Sequence, residues 1–170
     1  KPETQARRDI DEAFLIYQKI DDPAGLGLVS EVTAALEERL EHYSMAYTHY
    51  RDAGISYSLA ERPRDFARVQ FRLGVLETGQ GFPLTARDAL TLALQGYREI
   101  SDDSGAAVTL AAIGRLERVV GRPAESRAAY RDAADLFAIA VCSAQGEVWS
   151  VGDDDIHFTL QSTVKPLLYS

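Results

Sequence analysis

A serine and a lysine three residues apart, Ser162 and Lys165, form the spacing in this sequence that best suits covalent chemistry. They lie in the run Gln161-Ser162-Thr163-Val164-Lys165, where the pattern predicts the start of a helix. Residues three apart share one face of a helix, so the lysine amine would lie beside the serine hydroxyl. A neutral amine there can accept the hydroxyl proton and make the serine a nucleophile for acyl transfer. Because serine and lysine are common residues, the spacing alone also fits a chance pairing.

The other reactive side chains form no recognisable site. His42, His49 and His157 are too scattered for a metal centre. The aspartates at 153–155 lack the spacing of a calcium loop. Cys142, the single cysteine, lies in an apolar pattern and is interpreted as a packing residue. The sequence therefore predicts neither a metal nor a cofactor.

The composition is that of a soluble globular protein. The chain has 170 residues, 46% of them apolar, and a net charge of −8. This acidity disfavours nucleic acid and anionic membranes as partners. No apolar run approaches the roughly 18 residues of a membrane span, and a lone thiol fits a reducing compartment. The predicted location is the cytoplasm.

The part of the sequence that precedes Ser162 and Lys165 contains an internal repeat. Residues 71–77, Phe-Arg-Leu-Gly-Val-Leu-Glu, recur 40 residues later as 111–117, Ala-Ala-Ile-Gly-Arg-Leu-Glu. The same offset joins further pairs: Gly81 with Gly121, Pro83 with Pro123, Ala93 with Ala133, and Tyr97 with Phe137. Further steps back along the chain give a third copy and a half copy at the N-terminal end.

Each unit is predicted to be a pair of helices, because its apolar residues recur at three- and four-residue intervals between turn residues. The small residues at facing positions of the two helices are explained sterically. Gly74 is predicted to face Ala86, and Gly114 to face Ser126, so that the paired backbones can approach closely. The pattern resembles the tetratricopeptide repeat in these residues: Ile113, Gly114, Gly121, Pro123, Ser126, Tyr130 and Ala133. It departs where that family usually has an aromatic, because Glu37, Glu77 and Glu117 stand there. The predicted fold is mainly α, a tetratricopeptide-like α-solenoid of helical hairpins over residues 1–140.

The resemblance implies that the first helix of each hairpin lines a concave groove for a peptide or protein. Arg68, Phe71, Arg115 and Arg118 would face this groove and suit an acidic or C-terminal carboxylate ligand. Any single one of these arginines is explained more simply as a solvated side chain that forms an i,i+4 ion pair on the helix surface. The first functional hypothesis is therefore a protein-binding scaffold without catalytic activity.

The helical period stops near Ala140, and the switch to another structure is expected between Leu136 and Ala140. The run Val141–Gly152 predicts two short strands around a Gln-Gly turn. A helix then begins near Gln161. The predicted second unit, residues 141–170, is thus a β-hairpin followed by a helix, whose exposed edge could pair with another copy of the chain.

This tail resembles the opening of the catalytic domain of serine-dependent glutaminases over about residues 136–170. The resemblance is carried by these landmarks: Gly146, Gly152-Asp153, Phe158, Gln161-Ser162 and Lys165-Pro166. It implies that Ser162 is the nucleophile, Lys165 its base and Gln161 a neighbour of the substrate. The groups that hold glutamine in that family are missing from these residues, so the chain alone is expected to be inactive. The alternative hypothesis is a fragment of a repeat-regulated glutaminase.

Overall fold

The computed structural model of the chain describes the backbone of residues 2–145 and the side chains of residues 4–136. This part of the chain is built from helices, which confirms the mainly α prediction. In chain order the helices are α1 (Pro2–Lys19), α2 (Pro23–Arg39), α3 (Tyr43–Leu59), α4 (Pro63–Gln80), α5 (Pro83–Glu99), α6 (Asp103–Val119) and α7 (Pro123–Gln145). None of the described helices combines the length and apolar character needed to cross a membrane.

The helices pack as consecutive hairpins. The tightest pairs are α2 with α3, α4 with α5, and α6 with α7, and successive pairs join through α3 with α4 and α5 with α6. Helix α1 packs on α2 as the second helix of a half unit. One hairpin cannot bury its own apolar face, so stacking of neighbours supplies the core. Its fully buried large side chains include Tyr50, Leu90, Leu116 and Val69.

The helices from α1 to α6 are each followed by a residue with a left-handed backbone, and these residues stand 20 positions apart. They are Asp21 (φ 52°), Glu41 (61°), Glu61 (53°), Gly81 (80°), Ser101 (54°) and Gly121 (77°). The next residue then donates its N–H to a carbonyl five residues back, as in His42 to Glu37 at 2.9 Å. This bond satisfies a carbonyl that the helix end would otherwise leave unpaired. The 40-residue repeat is therefore a 20-residue helix-and-turn unit used twice.

The following helix starts at once after each turn. Four of the helices that follow such a turn, α2, α4, α5 and α7, begin with proline, whose missing N–H costs no hydrogen bond there. Asp22 accepts hydrogen bonds from the N–H groups of Ala24 and Gly25 at 3.0 and 3.1 Å, and Asp102 accepts one from Gly105 at 2.9 Å. These caps satisfy donors that have no partner inside the helix.

Close approach of paired helices at the predicted glycines is confirmed. A Cβ on Gly74 would lie 2.5 Å from Leu90 Cγ and 3.1 Å from the Ala86 carbonyl oxygen. At the equivalent place in the next hairpin, the Ser126 hydroxyl donates to the Gly114 carbonyl at 2.8 Å. Larger residues in the first helix would force the two backbones apart.

The predicted end of the helical region is wrong. Helix α7 runs through the expected switch between Leu136 and Ala140 and continues to Gln145, so the first residues of the predicted strand from Val141 are helical. Three alanines lie between Leu136 and Gln145, and alanine has the highest helix propensity. Extending an existing helix also avoids the cost of a new nucleus. The remainder of the predicted β-hairpin and the helix near Gln161 lie outside the described residues.

The left-handed turns make a prediction about stability. A residue with a Cβ in this conformation is strained by roughly 1–2 kcal/mol, whereas glycine is not. We expect Glu41→Gly to raise the free energy of unfolding by about 0.5–1 kcal/mol in urea denaturation followed by circular dichroism. Arg72→Gly, in the middle of α4, is the control and should lower it by about 1 kcal/mol. A loss of stability in Glu41→Gly would contradict the assignment of strain to this turn.

Candidate functional site

The predicted catalytic residues lie beyond the described part of the chain. Ser162 and Lys165, with the predicted substrate neighbour Gln161, all follow residue 145. Their geometry is therefore not described, and their roles stay predictions. The site that the structure does show lies inside the helical array.

Arg68, one of the predicted groove residues, is engaged within the chain. Its Nε and Nη2 donate to the two carboxylate oxygens of Glu31 at 2.8 and 2.7 Å, and its Nη1 donates to Asp65 at 2.7 Å. The Tyr57 hydroxyl donates to the same Glu31 carboxylate at 2.8 Å. Since this guanidinium ties α4 to α2, a carboxylate ligand would have to displace an ion pair that joins two hairpins.

The other predicted groove residues do not form one site with Arg68. Phe71 is partly buried and packs against two clusters of the core. Arg115 and Arg118 are exposed, and neither makes an ion pair with another described residue. The three arginines share no carboxylate among the described residues, so the structure does not gather them around a common anion.

Three buried glutamates form a feature that the sequence showed only as a departure from the repeat pattern. Glu37, Glu77 and Glu117 are 0%, 7% and 5% exposed and occupy the same position on α2, α4 and α6. Buried carboxylates are rare unless they are paired. The sequence contained a signal for these buried glutamates. An acidic residue recurs every 40 positions, at a place in the repeat where the core is expected. Within the described residues, no group of three such side chains could hold a metal ion.

The partners of these glutamates follow the same period. One comes from the residue 30 positions earlier, on the preceding second helix, and the other from the residue 5 positions later, at the following turn. The sets are Arg7, Glu37 and His42; Tyr47, Glu77 and Phe82; and Arg87, Glu117 and Arg122. The outer two hairpins therefore place basic side chains on both sides of the carboxylate, and the middle hairpin places aromatic ones there.

Glu37 has both partners in contact. His42 Nδ1 lies 2.7 Å from one carboxylate oxygen, and Arg7 Nη1 donates to the other at 2.7 Å. The hydrogen bond with His42 lowers the pKa of Glu37, and Arg7 lowers it further, against the opposing effect of burial. The carboxylate is thus held in its ionised form.

Glu117 is held mainly by Arg87. The Nε of Arg87 donates to Glu117 Oε1 at 2.9 Å, and its Nη2 donates to the same oxygen. Arg122 Nη1 lies 3.8 Å from Oε2, which accepts no hydrogen bond from a described residue. The pair joins α5 to α6 in the way that Arg7 joins α1 to α2.

Glu77 lacks a cation. It forms no ion pair with any described residue, because Tyr47 and Phe82 stand where the other hairpins have basic groups. Burial raises the pKa of Glu77, a hydrogen bond from Thr85 lowers it, and the nearby Asp88 raises it again. The middle hairpin therefore carries a buried carboxyl whose charge is not compensated.

Comparison with known proteins finds a similarity at the end of the chain. Residues 128–170 match the profile of the Glutaminase family. A glutaminase of Corynebacterium glutamicum is 52% identical over 34 residues, which are 20% of this chain and 8% of that protein. The chain thus spans only a small part of the length of this relative. No solved structure matches the chain.

The match corrects the first functional hypothesis. The interpretation of the chain as a non-catalytic scaffold that binds a peptide in its groove is wrong as the main assignment, because the matched family is one of enzymes. The match also begins at residue 128, inside α7, and not near residue 136. The alternative, a fragment of a glutaminase, is the hypothesis that the comparisons support.

Neutral replacements of two equivalent carboxyls are expected to act in opposite directions near pH 7. Glu37→Gln removes a charge that His42 and Arg7 stabilise, and should lower the free energy of unfolding by about 1–2 kcal/mol, since both partners are half exposed. Glu77→Gln removes a buried charge without a cation and should raise it by about 1 kcal/mol. Urea denaturation of both variants beside the wild type measures the difference.

The pH dependence has opposite signs for the same two groups. Glu37, with its lowered pKa, stabilises the fold above the ordinary glutamate pKa, and this contribution is lost as the pH falls through the lowered value. Glu77, with its raised pKa, favours the fold when protonated, and this contribution is lost as the pH rises through the raised value. The advantage of Glu77→Gln should therefore grow as the pH rises above the ordinary glutamate pKa and through the raised pKa of Glu77. Equal shifts of both variants at every pH would contradict this assignment.

Proposed function

We propose that this chain is part of a serine-dependent glutaminase, in which a helical array leads into the segment that carries the nucleophile. The single observation that carries the proposal is the family match over residues 128–170, within which Gln161, Ser162 and Lys165 lie. The identity of 52% over 34 residues to a bacterial glutaminase supports it.

The proposed chemistry is acyl transfer from the side-chain amide of glutamine. Lys165, as a neutral amine, takes the hydroxyl proton while the Ser162 oxygen attacks the amide carbonyl. The tetrahedral intermediate expels ammonia, which receives the proton back from Lys165, and a glutamyl ester on Ser162 remains. Water then hydrolyses the ester and releases glutamate. Gln161, which directly precedes the nucleophile, is proposed to contact the substrate.

The helical array, which runs to Gln145, is proposed to be a tetratricopeptide-like domain that precedes and partly overlaps the glutaminase-like segment of residues 128–170. Helix α7 supports a direct connection, because it runs from Pro123 through the start of the family match at residue 128 to Gln145. A continuous helix transmits position and orientation better than a flexible linker does. We therefore propose that the array regulates the enzyme by fixing where its catalytic segment lies. The proposed location is the cytoplasm, where the thiol of Cys142 stays reduced.

The proposal predicts that one hydroxyl carries the reaction. In the complete gene product, Ser162→Ala should lower the kcat for ammonia release from L-glutamine by at least about 1,000-fold. The reason is that the glutamyl ester cannot form without the serine oxygen. Lys165→Ala should cause a loss of similar size. Ser104→Ala, an exposed serine at the start of α6, is the matched control and should leave the rate unchanged.

A second measurement tests the covalent intermediate. Enzyme quenched with acid during turnover should contain a glutamyl adduct on the peptide that includes Ser162, detected by mass spectrometry, and Ser162→Ala should contain none. Undiminished ammonia release by Ser162→Ala, or an adduct on another residue, would overturn the assignment.

A further inference from the structure

The buried carboxyl of Glu77 borders a cavity, and the two together point to a ligand site outside the proposed catalytic segment. In the hairpins before and after it, the equivalent glutamate receives a guanidinium from the helix that precedes it, Arg7 for Glu37 and Arg87 for Glu117. In the middle hairpin Tyr47 occupies the position of that arginine. The repeat therefore builds three carboxylate sites and supplies an internal cation to the outer two.

The space beside Glu77 is an open groove of about 510 Å³. It lies between α3 and α5, and its floor is formed by α4, with Phe66 near one end and Glu77 near the other. Each wall contributes an exposed apolar side chain: Ile55 on α3 and Leu92 on α5 are 56% and 46% exposed. This volume is within the range of about 300–1,000 Å³ typical of small-molecule sites.

The end of the groove near Glu77 is acidic. Asp88 and Thr85 on α5 line the groove together with Glu77, and Glu77 itself is 7% exposed. The one basic residue in the described lining of this groove is Arg51, whose guanidinium carbon lies 5.9 Å from the centre of the Tyr47 ring. Among the described residues, Arg51 forms no ion pair with Glu77. An incoming cation would thus meet two carboxylates and a hydroxyl.

We propose that this groove binds a small organic cation, with a guanidinium or primary ammonium group on Glu77 and an apolar body between Ile55 and Leu92. A small ligand is favoured because the flanking hairpins fill the equivalent place with one arginine side chain. A guanidinium is favoured because it is planar, weakly hydrated and donates two parallel hydrogen bonds to a carboxylate. The net charge of −8 adds long-range attraction for a cation. This binding is independent of the glutaminase activity proposed above.

The direct test titrates n-butylguanidinium into the complete chain and follows binding by isothermal titration calorimetry, with n-butylurea as an uncharged analogue of the same shape. We expect n-butylguanidinium to bind at least tenfold more tightly than n-butylurea. Glu77→Gln should reduce its affinity at least tenfold, and Glu125→Gln, at an exposed carboxyl of α7, should leave it unchanged. Equal binding of the two compounds, or full binding by Glu77→Gln, would overturn the proposal.

A second variant keeps the test informative if Glu77→Gln alters folding. Tyr47→Arg supplies the internal cation that the neighbouring hairpins have, so it should abolish binding of n-butylguanidinium and raise the Tm by a few degrees. Unchanged affinity in Tyr47→Arg would overturn the proposal. A short peptide with a central arginine between two leucines, if it bound tenfold more tightly than n-butylguanidinium, would also overturn it by indicating a protein segment as the ligand.

Discussion

The hydrogen bond that closes each left-handed turn is the constraint on which the rest of the helical array depends. An N–H just past the turn bonds a carbonyl five residues back, so each helix from α1 to α6 stops at the same place relative to the next one. The complete helices from α2 to α6 are consequently 17 or 18 residues long. Equal lengths keep successive hairpins in register, so that a residue type recurring in the sequence recurs at the same depth in the core.

Register has a chemical consequence because the carbonyl in three of these bonds belongs to a buried glutamate. His42, Phe82 and Arg122 donate their backbone N–H to the carbonyls of Glu37, Glu77 and Glu117 at 2.9, 2.9 and 2.8 Å, which fixes the backbone of each donor residue close to the glutamate. Where that side chain is basic, the turn both ends the helix and pairs the charge. Where it is Phe82, the turn keeps its geometry but provides no counter-charge. Backbone geometry and electrostatics can therefore vary independently in this repeat. The middle hairpin keeps the turn hydrogen bond but lacks the basic side chain.

The sequence was sufficient for the features that depend on local pattern. The 40-residue offset, the pairing of Gly74 with Ala86 and the turn positions at Gly81 and Gly121 follow from spacing and side-chain size alone. The left-handed backbones of Asp21, Glu41, Glu61 and Ser101 could not be predicted from residue type, because none of the four is glycine. The ion pair of Arg68 with Glu31 could not be predicted from the sequence either. Glu31 lies 37 positions earlier and contacts Arg68 only after two hairpins stack. Long-range ion pairs depend on packing, and packing is not encoded in a local window.

The residues at the end of α7 fit two sequence patterns, one helical and one typical of a strand. The segment 128–145 satisfies the helical repeat and also belongs to the matched glutaminase segment, in which alternating apolar residues such as Ile139 and Val141 suggested a strand. A helix satisfies its backbone hydrogen bonds within itself, whereas a strand needs a neighbouring strand. All secondary-structure elements described between residues 2 and 145 are helices, so the chain extends α7 through this segment. The alanines in residues 136–145 favour helix as well, so local propensity and the absence of a strand among the described residues both extend α7 to Gln145.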